Sequence, residues 1–597
     1  MKRFTLRLHL SELTLSQIAW MLLLLSMLVY SIVISYETVL RYDTFKATAF
    51  DLGNYDQAIW NTIHGRLFQF TNQGDNWYGP PTRLAIHFEP IILPLSLLYA
   101  FHADPRILLV FQTLALAAGA LPVFLLTRNA MPAWPLLAPV MAITYLLMPA
   151  LLGMNLFDFH PLSLATPLLL YAVLALTYKR YIWFLITCVL AAACKEDVPV
   201  AIALLGVLVV WKYKLPRLGI TLIIGGILWS VFGFLLIKHF FPGAQGNNYW
   251  YRYEALGISP GAAIINLLEH PWLIFTTFIT LDRVYYLAGL LRSTGFLALL
   301  APEWLLPAVF SLAVNMLSVD DPLLYSGVYQ YNAAIIPFIM IAAIYGTQRF
   351  YNLWQIWRGE PIKEPAHVAP TYMQKRHSNV KYWGALPALL APRVETLVQN
   401  SRLAYASISR AVVAHPAFTR PVELIQPRLL SLSRVRNTQW QRFGARMTPL
   451  ASRVSLSRLQ WTVCVWIIAM LALNFFILTP MLNIFWPDHP YGSREQHIEQ
   501  LLAMIPPDAS VSAGGTLNPH LTERLYVTVF PAITFISNDK NIKNTVQYVI
   551  VDLDTVFPED KVSTANEINR LVSSKQFRIL ARAEGVILLI RRASSLP

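Results

Sequence analysis

The sequence predicts an all-α polytopic membrane protein of about eleven transmembrane helices. Re-entrant or juxtamembrane helices lie between them, and a small extracytoplasmic α/β domain ends the chain. Three observations lead there. Of 597 residues, 56% are hydrophobic and 13% charged, with mean hydropathy +0.48; charged residues make up about a quarter of an ordinary soluble protein. The apolar residues gather into long runs, about ten to twelve of them. Traced through a bilayer, the polar clusters between those runs collect on one side.

The basic N-terminus MKRFTLRLHL precedes an apolar run from about Gln17 to Tyr36. No small-residue cleavage site stands before Tyr36-Glu37, so the run reads as a retained signal-anchor helix. Residues 37–84 then form a large polar outer loop. Residues 87–101 are too short to span and are expected to be re-entrant or interfacial. The run 106–126 goes in to Arg128, and 135–152 comes out to Asp158 and His160. Next, 161–178 goes in to Lys179 and Arg180, and 181–194 comes out to Lys195-Glu196-Asp197. The run 198–211 reaches Lys212, Lys214 and Arg217 inside, and 218–240 returns to an outer loop. Beyond it, 264–281 enters and stops at Arg283, 285–301 exits, 302–318 dips without crossing, and 332–348 enters to Arg349. The last helix, 461–483, exits and leaves 484–597 outside. This path puts most flanking Lys and Arg on the inner face, as the positive-inside rule requires. Lys195, Lys238 and Arg252 are the outer exceptions. They invite a functional reading, although snorkelling explains Lys238 as well.

The net charge of +14 is concentrated: residues 351–460 hold sixteen Lys/Arg against four Glu. In a membrane chain this reads as a basic cytoplasmic insert, partly disordered, between the domain 1–350 and the last helix. A nucleic-acid partner is not expected. Cys188, Cys194 and Cys464 lie inside apolar runs and offer neither a disulfide framework nor metal-ligand spacing. In the tail, SREQHIEQLLAMI reads as an amphipathic helix. Strands are expected at 509–513, 525–530, 547–552, 576–582 and 585–590, with a helix over Glu567 to Ser574. No glycine-rich phosphate loop is present, so nucleotide binding is not suggested.

The candidate residues sit in the outer loops. Asp51 precedes a plausible short helix, 53–63, and can be its N-cap, a catalytic carboxylate, or both. Asp56 lies about 140° further round that helix, so the two need not converge as acid and base. His87 and Glu89 open the interfacial segment; Asp158 and His160 form a polar turn. Both pairs have an ordinary reading as solvated interface residues. Lys195-Glu196-Asp197 is harder to dismiss, because three charges interrupt an apolar stretch from Tyr181 to Trp211. Lys195 could neutralise a phosphate, and Glu196 and Asp197 could orient it or bind a cation. Arg252, among Tyr249, Trp250, Tyr251 and Tyr253, could bind phosphate bidentately. Aromatic belts explain those neighbours without function, as they do Tyr325, Tyr329 and Tyr331.

The runs FDLGNYDQAIWNTIHG, HFEPIILPLSLLYA, ALPVFLLTR, LFDFHPL, CKEDVP and YQYNAAIIPF resemble an uncharacterised family of predicted bacterial and archaeal membrane proteins, domain of unknown function family 2079. PPDASVSAGGTLNPHLTERLY resembles its outer domain, so the likeness covers about 15–350 and 461–595. The basic insert departs from it. The family is similar in layout to the GT-C glycosyltransferases. That resemblance implies a first-loop acidic residue, here matched by Asp51, a polyprenyl-phosphate sugar donor and inversion at the anomeric carbon.

The expectation is therefore a membrane glycosyltransferase with Asp51 as general base and with Lys195 and Arg252 as phosphate-side cations. Asp56, His87, Glu89, Asp158, His160, Glu196, Asp197, Tyr329 and Tyr331 would lie around them. An acidic site facing a phosphate could recruit Mg²⁺ or Mn²⁺, though no ligand set is legible. The expected partners are the bilayer, a lipid-linked sugar donor and an unknown acceptor. The expected location is a bacterial or archaeal cytoplasmic membrane, with the N-terminus and 351–460 inside. A transporter or flippase for a lipid-linked or small anionic substrate is the alternative. It should show repeated halves and broken midplane helices, and no repeat is evident. A plain membrane anchor for the tail would leave Lys195-Glu196-Asp197 unexplained.

Overall fold

The computed structural model describes residues 14–73, 81–241, 249–319, 321–358, 454–536 and 543–592. Met1–Arg349 and Gln460–Pro597 form one compact unit, and Phe350–Leu459 forms a second. Of the second, the described residues are helix ends, where Arg358 donates to the Val454 carbonyl. The expected basic insert lies outside the described residues.

The first unit is mostly helical. Among the described residues, four helices are long and apolar enough to cross a bilayer: Leu15–Asp43, Pro105–Ala130, Pro216–Phe240 and Leu456–Leu482. Leu137–Leu146 and Pro149–Leu156 form a pair bent by 41°, which makes a fifth if counted as one span. Pro149 explains the bend, since it cannot donate to the preceding turn. Pro161–Thr177, Tyr181–Ala192 and Val198–Trp211 are apolar but shorter than the ~20 residues of an upright crossing. Length alone thus supports four or five spans, and the finer count of eleven remains an expectation. The first helix runs on to Asp43, seven residues past its expected exit.

Side-chain contacts retrace one stretch of the path. Arg283 was expected at the inner end of a span over 264–281. Instead of one continuous helix, that region is a helix Pro260–Glu269 and a π-helical turn Ile274–Phe278. Arg283 donates to the Met316 and Ser318 carbonyls, and Val319 N donates to Arg252 O. Arg283 therefore shares the Arg252 end. Leu281–Arg292 leads away from it. At the far end Lys212 and Arg349 both pair with Glu303. The segment 302–317, expected only to dip, runs from Glu303 at that end to Met316 beside Arg283.

Small residues set the approach of Val198–Trp211 to Pro216–Phe240. A Cβ on Gly206 would lie 2.7 Å from the Gly219 carbonyl oxygen, so neither helix tolerates a side chain there. Nearer the Lys195-Glu196-Asp197 turn, a Cβ on Gly233 would lie 3.0 Å from Glu196 Cβ, and Ser230 donates to the Glu196 carbonyl at 2.6 Å.

The C-terminal part is the expected α/β domain. Its five-stranded sheet has the order β2-β1-β5-β7-β6, with β1 Val511–Ala513, β2 Val527–Val529, β5 Tyr548–Asp552, β6 Phe577–Ala583 and β7 Val586–Arg591. β1 pairs parallel with β2 and β5; β7 pairs antiparallel with β5 and β6. The hairpin β3 Thr534–Ile536 and β4 Lys543–Thr545 stands apart. Helix Ser493–Leu502 contributes Ile498 and Leu501 to one core with Val511, Val527 and Ile550. Helix Lys561–Ser573 contributes Ile568 and Leu571 to another with Val549 and Val551. The alternation of Val549, Ile550 and Val551 between cores is the period-2 pattern of a central strand. Phe45, fully buried, enters the first core from the chain just beyond helix Leu15–Asp43. Such burial contributes about 1.5–3 kcal/mol and fastens the domain to the helical part.

Candidate functional site

A cavity of about 1220 Å³ opens at the Arg252 end of the helical part. Its lining holds two kinds of side chain. Val231, Phe234 and Leu235 from Pro216–Phe240, Ile264 and Leu267 from Pro260–Glu269, and Phe310 and Val314 are apolar. Asp51, Arg83, His87, Glu89, His160, Lys195, Glu196, Asp197, Arg252 and Tyr331 are polar. Asp51, Lys195 and Arg252, from three distant parts of the sequence, therefore share one hollow.

Asp51 is not a helix cap. It lies in a π-helical turn, Ala49–Gly53, and the helix that follows, Asn54–Ile63, has no side-chain cap. The turn is held from both sides of the carboxylate: Thr48 Oγ1 donates to Oδ2 at 2.8 Å and His160 Nε2 to Oδ1 at 3.0 Å. About a quarter of the Asp51 side chain remains exposed. Burial pushes its carboxyl up, but the hydrogen bonds from His160 and Thr48, with the charges of His160 and Arg83, outweigh it. Asp51 is held below the usual carboxylate range and is ionised at neutral pH.

His160 is placed in turn by its own strand of chain. Asp158 adopts a left-handed φ of 53°, which an Asp tolerates better than most residues. Its carboxylate accepts from Thr48 N at 2.8 Å and lies 3.7 Å from Arg41; Thr48 Oγ1, also 2.8 Å away, has one proton, which the Asp51 and Asp158 carboxylates share. Gln112, wholly buried, clasps the turn: Nε2 donates to Asp158 O at 3.0 Å and Oε1 accepts from His160 N at 2.9 Å. Asp158 was expected to touch substrate, but it is absent from the cavity lining and is 2% exposed. The left-handed turn directs its carboxylate back onto Thr48, so it anchors both turns.

The cationic part of the lining is built from ion pairs. Arg83 Nη2 and Glu89 Oε2 meet at 2.7 Å, and the guanidinium lies 4.2 Å from the Tyr55 ring centroid. Tyr55 Oη donates to Glu89 Oε1 at 2.8 Å. His87 Nδ1 donates to Glu196 Oε1 at 2.9 Å, and Phe88 N donates to Oε2 at 3.0 Å. Lys195 Nζ is 3.7 Å from Asp197, and Arg252 meets Asp321 at 2.8 Å. Arg252 also lies over the Tyr249 ring at 4.5 Å. The Tyr249 hydroxyl, pushed up by burial, feels the charges of Arg83, Arg252, Asp51 and Lys195 together.

Two other expectations are corrected. Asp56 is fully buried and outside the cavity lining. It accepts from Tyr99 and, at 2.5 Å, from Thr522 Oγ1 in the C-terminal domain. The rotation of five residues along the chain turns it away from Asp51 and into that seam. Burial and the nearby Glu523 charge push its carboxyl well above the ordinary range. Tyr329 is also outside the lining; it packs on Phe157 and Phe485. Arg83, Tyr55, Thr48 and Gln112 did not stand out in the sequence. Only Gln112 carried a signal, as a polar residue inside the apolar run 106–126. Among the described residues no three His, Cys, Asp or Glu side chains converge as a metal-binding group.

The family described as Predicted membrane protein (DUF2079) matches residues 41–362 and 442–588. No curated protein matches the chain. Among solved structures, it is similar to two crystal structures of ArnT from Cupriavidus metallidurans, one apo and one bound to undecaprenyl phosphate. Each aligns over 96% of this chain and 98% of its own at 12% identity, with TM-scores of 0.42 and 0.41 respectively.

Proposed function

We propose that this chain, which belongs to the predicted membrane protein family DUF2079, is a membrane glycosyltransferase. It moves a sugar from a polyprenyl-phosphate-linked donor to an acceptor hydroxyl. The observation that carries the reading is the mixed lining of one cavity: apolar side chains and Asp51, Lys195 and Arg252 border the same space. A lipid phosphate has the same two-part chemistry. Its isoprenoid tail would lie against Phe234, Leu235, Ile264 and Leu267, and its phosphate would face Lys195 and Arg252.

Asp51 would take the acceptor hydroxyl proton while that oxygen attacks the anomeric carbon. The bond from the anomeric carbon to the phosphate oxygen breaks, and the electron pair leaves with the phosphate. Lys195 and Arg252 stabilise the charge that collects there. His160 and Thr48 keep Asp51 ionised and oriented before the acceptor arrives. The 3.7 Å Lys195–Asp197 contact is longer than a close ion pair, which leaves the ammonium able to turn to a phosphate.

The test is the full-length protein in lipid nanodiscs with a polyprenyl-phosphate sugar. Asp51→Asn should abolish transfer while insertion and folding are kept. Turnover equal to wild type by that variant would remove Asp51 from the base role. Lipid movement across vesicles without sugar transfer would favour the transporter instead.

A further inference from the structure

The C-terminal α/β domain meets the first loop at the carboxyl ends of its parallel strands, where open α/β sheets ordinarily bind ligands. Here the loop itself takes that edge. Val527 N donates to Thr71 Oγ1 at 3.0 Å and Val529 N to Gln73 O at 3.0 Å, so 71–73 runs beside edge strand β2. Gln57 Nε2 donates to Arg524 O at 3.1 Å, while its Oε1 accepts from Thr71 N and Asn72 N.

From this seam one chain of bonds reaches the turn that carries Asp51. Asn518 lies in the connection after β1. Its Nδ2 donates to Asn72 Oδ1 at 2.7 Å, and Asn72 Nδ2 donates to the Ala49 carbonyl at 3.0 Å. Ala49 opens the π-helical turn, and its carbonyl also accepts from Asn54 N. The other end of the turn is fitted to the same side chain. A Cβ on Gly53 would lie 2.7 Å from Asn518 Oδ1 and 2.9 Å from Asn72 Nδ2. Asn72 and Asn518 are both fully buried.

We infer that the C-terminal domain is the positioning module of Asp51, with Asn518 and Asn72 as positioning residues that set the Ala49–Gly53 turn. This rests on the transferase reading for its catalytic meaning, though not for its geometry. A π-helical turn is rare and frequently found at functional sites. An external carboxamide on its first carbonyl, with a glycine-only fit at its end, fixes the direction in which Asp51 projects. The domain some 460 residues away in sequence thereby becomes part of the site without lining it.

The experiment uses the full chain in nanodiscs, comparing Asn518→Ala, Asn72→Ala and Gly53→Ala with wild type. Hydrogen exchange at the amides of 51–54 should accelerate about tenfold or more, while β5 and β7 keep their protection. Binding of undecaprenyl phosphate should stay within about twofold, because the cations are untouched. Transfer turnover should fall at least about tenfold with the apparent KM held. Unchanged exchange at 51–54 in all three variants would overturn the proposal. So would exchange lost equally across β5 and β7, since the contact would then serve only the domain's folding. If wild type neither binds undecaprenyl phosphate nor transfers sugar, the transferase reading fails. The exchange at 51–54 still decides the positioning.

Discussion

Arg83→Met tests whether the cationic lining is a structural strut or a ligand contact. Arg83 and Glu89 are 3% and 1% exposed and meet at 2.7 Å. Removing the guanidinium leaves Glu89 buried with Tyr55 Oη as its remaining side-chain donor among the described residues. An orphaned buried partner costs about 3–5 kcal/mol. Arg83→Met should therefore lower the thermal unfolding midpoint of the full chain in detergent by several degrees. Adding Glu89→Gln removes the stranded charge and keeps an acceptor for Tyr55. The double variant should recover most of the loss, a non-additivity that a double-mutant cycle measures directly. Equal destabilisation by the single and double variants would refute the reasoning, since the cost would then lie in the Arg83 packing over Tyr55 and Phe70. Undecaprenyl phosphate binding in the double variant separates the roles: a strut gives unchanged affinity once stability is restored.

The seam should respond to pH. Burial and the Asp104 charge push Glu523 up to about 7, and Asp56 beside it is also raised. Such carboxyls hold their protons more tightly folded than unfolded, so this contribution is present at low pH. It is lost as pH rises through about 7. Unfolding midpoints should therefore decline from about pH 5 to about pH 8, with a shallower decline in Glu523→Gln; an identical slope in both proteins would contradict it. Gln112→Leu should release the Asp158–His160 turn and cut sugar transfer at least about tenfold. Its binding of undecaprenyl phosphate should be unchanged; full activity would show that the clasp is dispensable.

What the sequence made legible was whatever is written along a short stretch. The Lys195-Glu196-Asp197 interruption, the Asp51 loop and the alternating strands of the tail each declare themselves within a few residues. The structure brings Asp51, His87, Glu89, His160, Lys195 to Asp197, Arg252 and Tyr331 around one cavity. Asp56 and Asp158 went astray because orientation, not identity, decides whether a loop carboxylate lines a cavity. A left-handed residue at 158 and a tertiary seam at Thr522 set those orientations. Arg83 looked like any loop cation until Glu89 and Tyr55 closed on it. Arg283 was misplaced for a related reason: apolar periodicity does not say at which end a helix terminus lies, and Arg283 is sorted only by its contacts with 316 and 318.

The central claim is that one cavity holds a lipid phosphate between Asp51 and the cations. Its most direct measurement is a cryo-electron microscopy structure of the full chain in nanodiscs with undecaprenyl phosphate. The account predicts phosphate density touching Lys195 and Arg252 and tail density along Phe234, Leu235 and Leu267, with the Asp51 carboxylate facing the same space. Lipid phosphate bound elsewhere on the protein, with this cavity holding none, would contradict it.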